Sequence, residues 1–509
     1  MKKCLFLLIT SLLAATGHTQ TFNLVVNNGY GSASYTAGET VHVWSKEIPA
    51  NSVFDKWTGN IDNLADLDEW HTTLVMPAGN TTIAANFRSV APYAIKLEQI
   101  RGVNNLKDVY YYFPAQYKGV IYFSHGSGGD ADNWIDVIEN RQMVKDAIAD
   151  TFAAIITEAE EITLNTDLDG DGKMRWSTFP LDSVANIDMA NLKAITDTLI
   201  KRGVMARATP RFAVGMSNGG GFSASLAETF KFKAAVSYCH PTSVSLAPIA
   251  TVPLQWCMAK YDQHESVGPA GNAQALANHQ TLLSRGIPTR HFLFDHSPVY
   301  PERFLRVTGI SAATSTVLFN GLKNFGALDA KNYMRFNADS LVSLLRANPA
   351  NFPAYTSLTA TQRSGVNNQL DVSFADHQFF SDFNKKTLKF LNDARRGTVT
   401  GIENEAGEVE LPRKFTLAQN YPNPFWSGAT SRFAGNPNTV ISFQLPVNSH
   451  VTLKVFDVNG RAVATLVDGV VEAGDHVVTF TPRHSASGLF FYRMTVGKFS
   501  QTRKAVLMK

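Results

Sequence analysis

Phe212-Ala213-Val214-Gly215-Met216-Ser217-Asn218-Gly219-Gly220-Gly221, running on into Phe222 to Phe230, reads as a buried strand that turns sharply into a helix. The strand is a short apolar run. The glycines two before and two after Ser217 permit the strained turn that lifts a serine hydroxyl above a sheet. A serine hydroxyl is a poor nucleophile at neutral pH. It needs a base to take its proton, a third group to orient that base, and donors for the oxyanion. Ser217 is therefore the candidate nucleophile, and its partners are sought at the ends of other strands.

Similar runs lie to either side: Gly119-Val120-Ile121-Tyr122-Phe123, Phe152-Ala153-Ala154-Ile155-Ile156 and Ala234-Ala235-Val236-Ser237-Tyr238. Helical stretches at 133–149, 187–202, 219–230 and 271–285 separate them. This alternation predicts an α/β fold with a mostly parallel sheet across residues 91–398. In such sheets ligands bind beyond the carboxyl ends of the strands.

His125-Gly126-Ser127-Gly128-Gly129 directly follows one such strand, and its glycines let backbone N–H groups face a cavity. The N–H groups of Ser127 and Asn218 are the expected oxyanion donors. His125, which precedes the nucleophile, is expected to hold its loop by hydrogen bonds. In strand-to-helix elbows of this kind the acid follows the serine and the histidine comes last. Asp262, after the strand Val252 to Ala259, is the expected acid, with Glu265 as its substitute. Two histidines compete for the base. His377 sits just before a helix from Asp382 to Ala394, and His296 directly follows the strand His291-Phe292-Leu293-Phe294. The position before the last helix favours His377, with His296 as the alternative. Residues 298–370 then form an insertion with helical pieces at Ala312–Gly326 and Ala338–Ala347, placed to act as a lid.

Together these residues resemble the extracellular esterase branch of the α/β-hydrolases, which includes polyhydroxybutyrate depolymerases, feruloyl esterases and acetyl-xylan esterases. The resemblance covers 105–395 at motif level. It implies a hydrolase of extracellular carboxylic esters or polyesters in which Ser217 is acylated, His377 shuttles the proton and water releases the acid. A serine peptidase of the same fold, related to the prolyl oligopeptidases, is one alternative. A surface binding protein with a degenerate core is the other.

The 509 residues suit two to four domains, and 44% apolar residues provide a sizeable core. Lys plus Arg number 46 against 43 Asp plus Glu, a net charge of +3, so nothing in the charge calls for nucleic acid or an anionic membrane. Residues 1–20 read as a signal peptide: Lys2 and Lys3, the apolar run Cys4 to Ala15, and a cleavage point between Ala15 and Gln20. No later stretch has the length and apolarity of a membrane span. Cys239 and Cys257 remain after cleavage, either bridged in an oxidising space or left as two small buried side chains.

Residues 21–90 alternate apolar and polar residues between turns such as Asn27-Asn28-Gly29 and Pro77-Ala78-Gly79, as a small β domain does. Their pattern, with Phe54-Asp55-Lys56-Trp57-Thr58-Gly59 and Ala84-Ala85-Asn86-Phe87, resembles the bacterial extracellular repeat domain. Trp57 and Trp70 are read as core, with a sugar-facing role as the alternative. Residues 399–412 form a polar, acidic linker. Residues 413–509 return to β patterning, with Leu417-Ala418-Gln419-Asn420-Tyr421-Pro422-Asn423-Pro424-Phe425, Val455-Phe456-Asp457-Val458-Asn459-Gly460-Arg461 and a terminal Lys504 to Lys509. This is similar to the C-terminal sorting domain of type IX secretion substrates, interrupted by an insertion near Gly428 to Gly435. The resemblance implies the type IX machinery as partner and a place outside the cell or on its surface.

Asp167-Leu168-Asp169-Gly170-Asp171-Gly172 matches the first six positions of a calcium loop, with Asp167, Asp169 and Asp171 as ligands. The closing Glu is missing, because position 12 is Thr178. A cation here is expected to stabilise rather than to react, and the chemistry itself requires no cofactor.

Overall fold

The computed structural model describes residues 20–399, 415–420, 423–426, 439–447, 449–471, 474–482, 487–497 and 499–508. The expected export signal, the linker and the insertion at Gly428 to Gly435 fall almost wholly outside them. The chain forms two compact units, the first ending at Arg88 and the second running from Ser89 and including Pro49–Val53.

An eight-stranded sheet organises the second unit, built from β1 (Lys96–Arg101), β2 (Leu106–Tyr112), β3 (Val120–Ser124), β4 (Ala153–Ile156), β5 (Arg211–Met216), β6 (Ala234–Tyr238), β7 (Leu254–Ala259) and β8 (Thr289–Phe294). Its order is β8-β7-β6-β5-β3-β4-β2-β1. The strands from β3 to β8 run parallel, and β2 and β1 add an antiparallel edge. The parallel strands are apolar because both their faces are covered: β3, β4, β6 and β7 are buried at every residue. The antiparallel edge strand β2 alternates buried and partly exposed residues, the pattern of a strand covered on one face.

Helices α1 (Ile138–Ala149), α2 (Ile187–Lys201), α3 (Asn218–Phe230) and α4 (Gly268–Ser284) connect the strands. The expected single helix at 133–149 is broken at Val137, whose extended backbone (ψ 127°) separates a short turn from α1. From β3 the chain goes to β4 on one side, while β5 returns on the other. The carboxyl ends of β3 and β5 therefore lie side by side, with Ser124 paired to Gly215. That juxtaposition sets the loop after Ser124 next to the turn at Ser217.

Between β8 and the last helix, α8 (Asn384–Arg396), lie α5 (Ala312–Asn324), α6 (Ala338–Ala347) and α7 (Ala360–Phe374). The first two are the helical pieces expected in the insertion; α7 is an addition to that expectation. Buried Leu318, Phe319, Leu341 and Leu370 join these helices to the core that backs the sheet. A buried ion pair also fastens them. Arg306, in the 3-10 turn Arg303–Arg306, donates through Nε (3.0 Å) and Nη2 (2.9 Å) to the two carboxylate oxygens of Glu139 on α1. Gln369 of α7 donates to the same carboxylate at 2.8 Å. This tie joins the insertion to α1 through one buried carboxylate.

The first unit holds a four-stranded and a three-stranded sheet. Trp57 and Trp70 are core residues, 1% and 4% exposed, and the Trp57 indole N–H donates to the Glu69 carbonyl at 2.9 Å. The residues from Thr416 onward form a three-stranded and a five-stranded sheet around Leu453, Val455, Phe443 and Tyr492. Cys239 and Cys257 are buried and unbridged, one just beyond β6 and one on β7.

Burial opposes charge on Glu139, but the Arg306 and Arg303 guanidiniums and the hydrogen bonds on it bring its carboxyl down from 4.5 to about 2. A depressed carboxyl stabilises the fold above its ordinary range, and the benefit is lost as pH falls toward about 2. Glu139→Gln is expected to lower the unfolding free energy at pH 7 by about 3–5 kcal/mol, because it strands a buried guanidinium. Urea unfolding at pH 7 and pH 3 checks this, with a smaller difference between the two proteins at pH 3.

Candidate active site

Ser217 occupies the point where β5 becomes α3. Its backbone lies at φ 55°, ψ −131°, a left-handed value that a side-chain-bearing residue rarely adopts. The turn closes only around glycine. A Cβ on Gly215 would sit 2.0 Å from the Gly219 carbonyl oxygen, and one on Gly219 would sit 2.2 Å from that of His125 and 2.3 Å from that of Ser124. The result is a serine, 8% exposed, at the rim of a cavity of about 370 Å³ that Gly126, Ser127, Met216 and His377 also line.

His377 Nε2 lies 2.8 Å from Ser217 Oγ, and His377 Nδ1 lies 2.7 Å from Asp262 Oδ2. An Asp carboxylate accepts only, so the proton sits on Nδ1 and Nε2 is free to accept from the serine hydroxyl. Asp262 is buried, and its other oxygen accepts the His264 N–H at 2.9 Å. Three residues of widely separated sequence thus form one chain of hydrogen bonds. His296, the alternative base, is a correction: it does not meet Ser217. It stands at the end of β8, where its Nδ1 contacts Asp295 at 2.7 Å and its ring lies against Tyr261 and Tyr333. Glu265, the substitute acid, is exposed and paired with Lys173.

The loops carrying acid and base are stitched together by their backbones. Tyr261 N–H donates to the Ala375 carbonyl at 2.9 Å. One oxygen of Asp376 accepts N–H groups from both Gln263 and His377 at 2.8 Å. Burial, with the Asp262 charge adding to it, pushes the Asp376 carboxyl up to about 7. His264 stacks on the His377 ring, with centroids 4.3 Å apart. Neither Asp376 nor His264 was expected from the sequence. An acid directly before a candidate base was the available signal.

The loop after β3 is held from below. His125 Nδ1 donates to the Gly126 carbonyl at 2.7 Å and Nε2 accepts the Ala159 N–H at 3.1 Å, while burial brings its pKa down to about 4, so the ring is neutral. Asn218 clamps Trp176 through both backbone groups, and Trp176 stacks on Phe222 at 4.4 Å. Among the described residues, no hydrogen bond engages the backbone N–H of Ser127 or of Asn218.

In the acidic loop, Asp167 and Asp169 converge with Glu161, their oxygens within 4.8 Å of one another. Asp171 stands apart from that group and pairs with Arg175. Asp167 accepts N–H groups from Gly170 and Gly172 at 2.7 Å, so the loop's own backbone already uses this carboxylate.

No family model and no curated protein matches the chain. Solved structures resemble part of it, among them one described as an α/β serine hydrolase and one as a homologue of that class. A dienelactone hydrolase from Anabaena variabilis is 17% identical, with TM-score 0.30, over 40% of this chain and 88% of its own. A lidless α/β serine hydrolase from Xanthomonas campestris is 12% identical, with TM-score 0.28, over 41% and 88%. An acylaminoacyl peptidase from Pyrococcus horikoshii is 11% identical, with TM-score 0.28, over 54% and 50%.

The turn at Ser217 yields a paired expectation. Gly219→Ala drives a methyl into two backbone carbonyls at 2.2 and 2.3 Å, whereas a Cβ on Gly220 meets its nearest backbone atom, the Gly215 carbonyl oxygen, only at 3.1 Å and must displace the Ser237 hydroxyl from its bond to the His240 carbonyl. Any esterase activity should fall by about 10²-fold or more in Gly219→Ala, through displacement of the serine. Gly220→Ala should retain more of it, as parallel assays on aryl acetate would show.

Proposed function

We propose that the chain is a serine hydrolase of the α/β-hydrolase fold that cleaves carboxylic esters through an acyl-enzyme. The observation that carries this reading is the continuous path Ser217 Oγ–His377–Asp262, with both links shorter than 3 Å. In the proposed reaction Ser217 Oγ attacks the ester carbonyl carbon as its proton passes to His377 Nε2. Asp262 balances the imidazolium charge. The carbonyl oxygen takes up the negative charge, and the N–H groups of Ser127 and Asn218 receive it. Collapse breaks the carbon–oxygen bond, and His377 returns its proton to the departing alcohol. Water then attacks the acyl-enzyme, giving its proton to Nε2, and the acid leaves as Ser217 recovers its hydrogen.

An ester rather than a peptide amide is the proposed substrate, and the extracellular esterase resemblance supports that choice. Residues 1–20 and 413–509 are proposed to send the chain through the type IX machinery to the medium or the cell surface, where fractionation of producing cells would find it. Among the described residues, no helix is long and apolar enough to cross a membrane. A Ca²⁺ ion on Glu161, Asp167 and Asp169 is proposed as structural only, and loss of thermal stability on chelation would reveal it.

A fluorophosphonate probe should label the wild-type chain at Ser217 and leave Ser217→Ala unlabelled. The same substitution should lower kcat on short aryl esters by about 10⁴–10⁶-fold. An unlabelled wild-type protein would sink the enzyme reading. Faster cleavage of an aryl amide than of the matched ester would replace it with the peptidase.

A further inference from the structure

The cavity beside Ser217 is lined by a set of polar side chains that the proposed chemistry does not use. Asn140 comes from the first turn of α1, Asn368 from α7 and Gln378 from the loop just after His377. None of the three carboxamides is hydrogen-bonded among the described residues. Asn140 is 6% exposed as a residue, and its amide, without a protein partner, is open to the cavity rather than sealed in the core. An amide placed there is free to bond water or a ligand that enters the cavity.

We propose that this cavity is a subsite for a neutral, hydroxyl-bearing part of the ester, held by Asn140, Asn368 and Gln378. The inference rests on Ser217 being the acylated residue and adds the substrate class to it. A carboxamide offers two N–H donors and a carbonyl acceptor, and a hydroxyl both donates and accepts, so one can serve the other on both counts. No Asp, Glu, Lys or Arg lines the cavity, and its ionisable side chains are His264 and the proposed base His377, so no fixed charge is built into the wall. Val137, Met216 and Phe379 line the cavity too, but an alkyl chain laid across the three carboxamides would displace their water without replacing its hydrogen bonds, which disfavours a purely aliphatic group at that part of the wall. The volume of about 370 Å³ falls in the range of small-molecule sites. Asn368 belongs to the insertion, so the insertion contributes to selectivity and not to the triad.

The test compares matched esters on the purified full chain. One pair places the hydroxyls on the alcohol side: 6-O-acetylglucose against cyclohexylmethyl acetate. The other places them on the acid side: methyl gluconate against methyl hexanoate. We expect the hydroxylated member of one pair to have the higher kcat/KM, and the responding pair identifies the side of the ester that enters the cavity. Asn368→Leu and Gln378→Leu should each shrink that ratio by about tenfold. Asn140→Leu should do the same if it folds; the other two variants, at less buried positions, carry the test if it does not. Equal or reversed preference within both pairs overturns the inference, as does a ratio that none of the variants moves. Faster turnover of N-acetylalanine methyl ester than of either hydroxylated substrate also overturns it, in favour of a peptide-like group. Fluorophosphonate labelling separates the two levels. A labelled Ser217 with no hydroxyl preference removes the subsite alone, and an unlabelled, inactive protein removes the hydrolase reading together with it.

Discussion

A single residue held in a left-handed conformation organises the second unit. Ser217 sits at φ 55° between a buried strand and a buried helix, and no side chain fits at the flanking glycines because backbone atoms already fill that space. The turn is tight because α3 packs directly over the ends of β3 and β5. Gly219 comes within van der Waals distance of the Ser124 and His125 carbonyls, so the loop that carries Ser127 is fixed against the same helix. The strain at one position is held by the packing of everything around it. Both the orientation of the hydroxyl and the place of the cavity follow from it.

The histidine needs a different support, because it arrives on a loop 160 residues after the serine. Its ring could be correctly placed by Asp262 alone only if Asp262 were itself fixed in position relative to that loop. The backbone bonds from Tyr261 to Ala375 and from Gln263 and His377 to Asp376 supply this. Acid and base loops form one rigid piece. A protonated Asp376 can keep both N–H bonds while leaving the negative charge on Asp262, whose Oδ2 faces the imidazole.

Much of this was legible in the sequence, and the reasons differ from place to place. Parallel strands such as Ala153–Ile156 are buried on both faces, so they stand out as unbroken apolar runs. Lys96–Arg101 and Leu106–Tyr112 were missed as strands because they lie at an antiparallel edge where polarity does not follow burial: Leu97 and Leu106 are exposed and Lys107 is buried. Helix α7 was missed because its sequence, with Gln362, Arg363, Asn367 and Asn368, lacks a clear apolar stripe; a capping box between Thr359 and Gln362 starts it, and Val366, Leu370, Val372 and Phe374 bury its later turns. The choice between His296, which follows a strand, and His377, which precedes the last helix, turned on that helix; geometry then puts His296 with Asp295. Asp171 and Asp167 share a motif but part company because Arg175, four residues on, takes the former. Glu161 joins the acidic group from a neighbouring helix, a tertiary fact that no local spacing encodes.

Cys239 has a bearing on how the protein would behave in a reagent survey. Its buried sulfur donates to the Gln378 carbonyl at 3.5 Å, beside His377, and burial pushes its pKa well up. An organomercurial or maleimide that reached this thiol during a breathing motion would wedge apart the segment bearing the imidazole. Inactivation by such compounds would then be slow and would mimic a thiol-dependent enzyme, although the sulfur takes no part in the proposed bond-making.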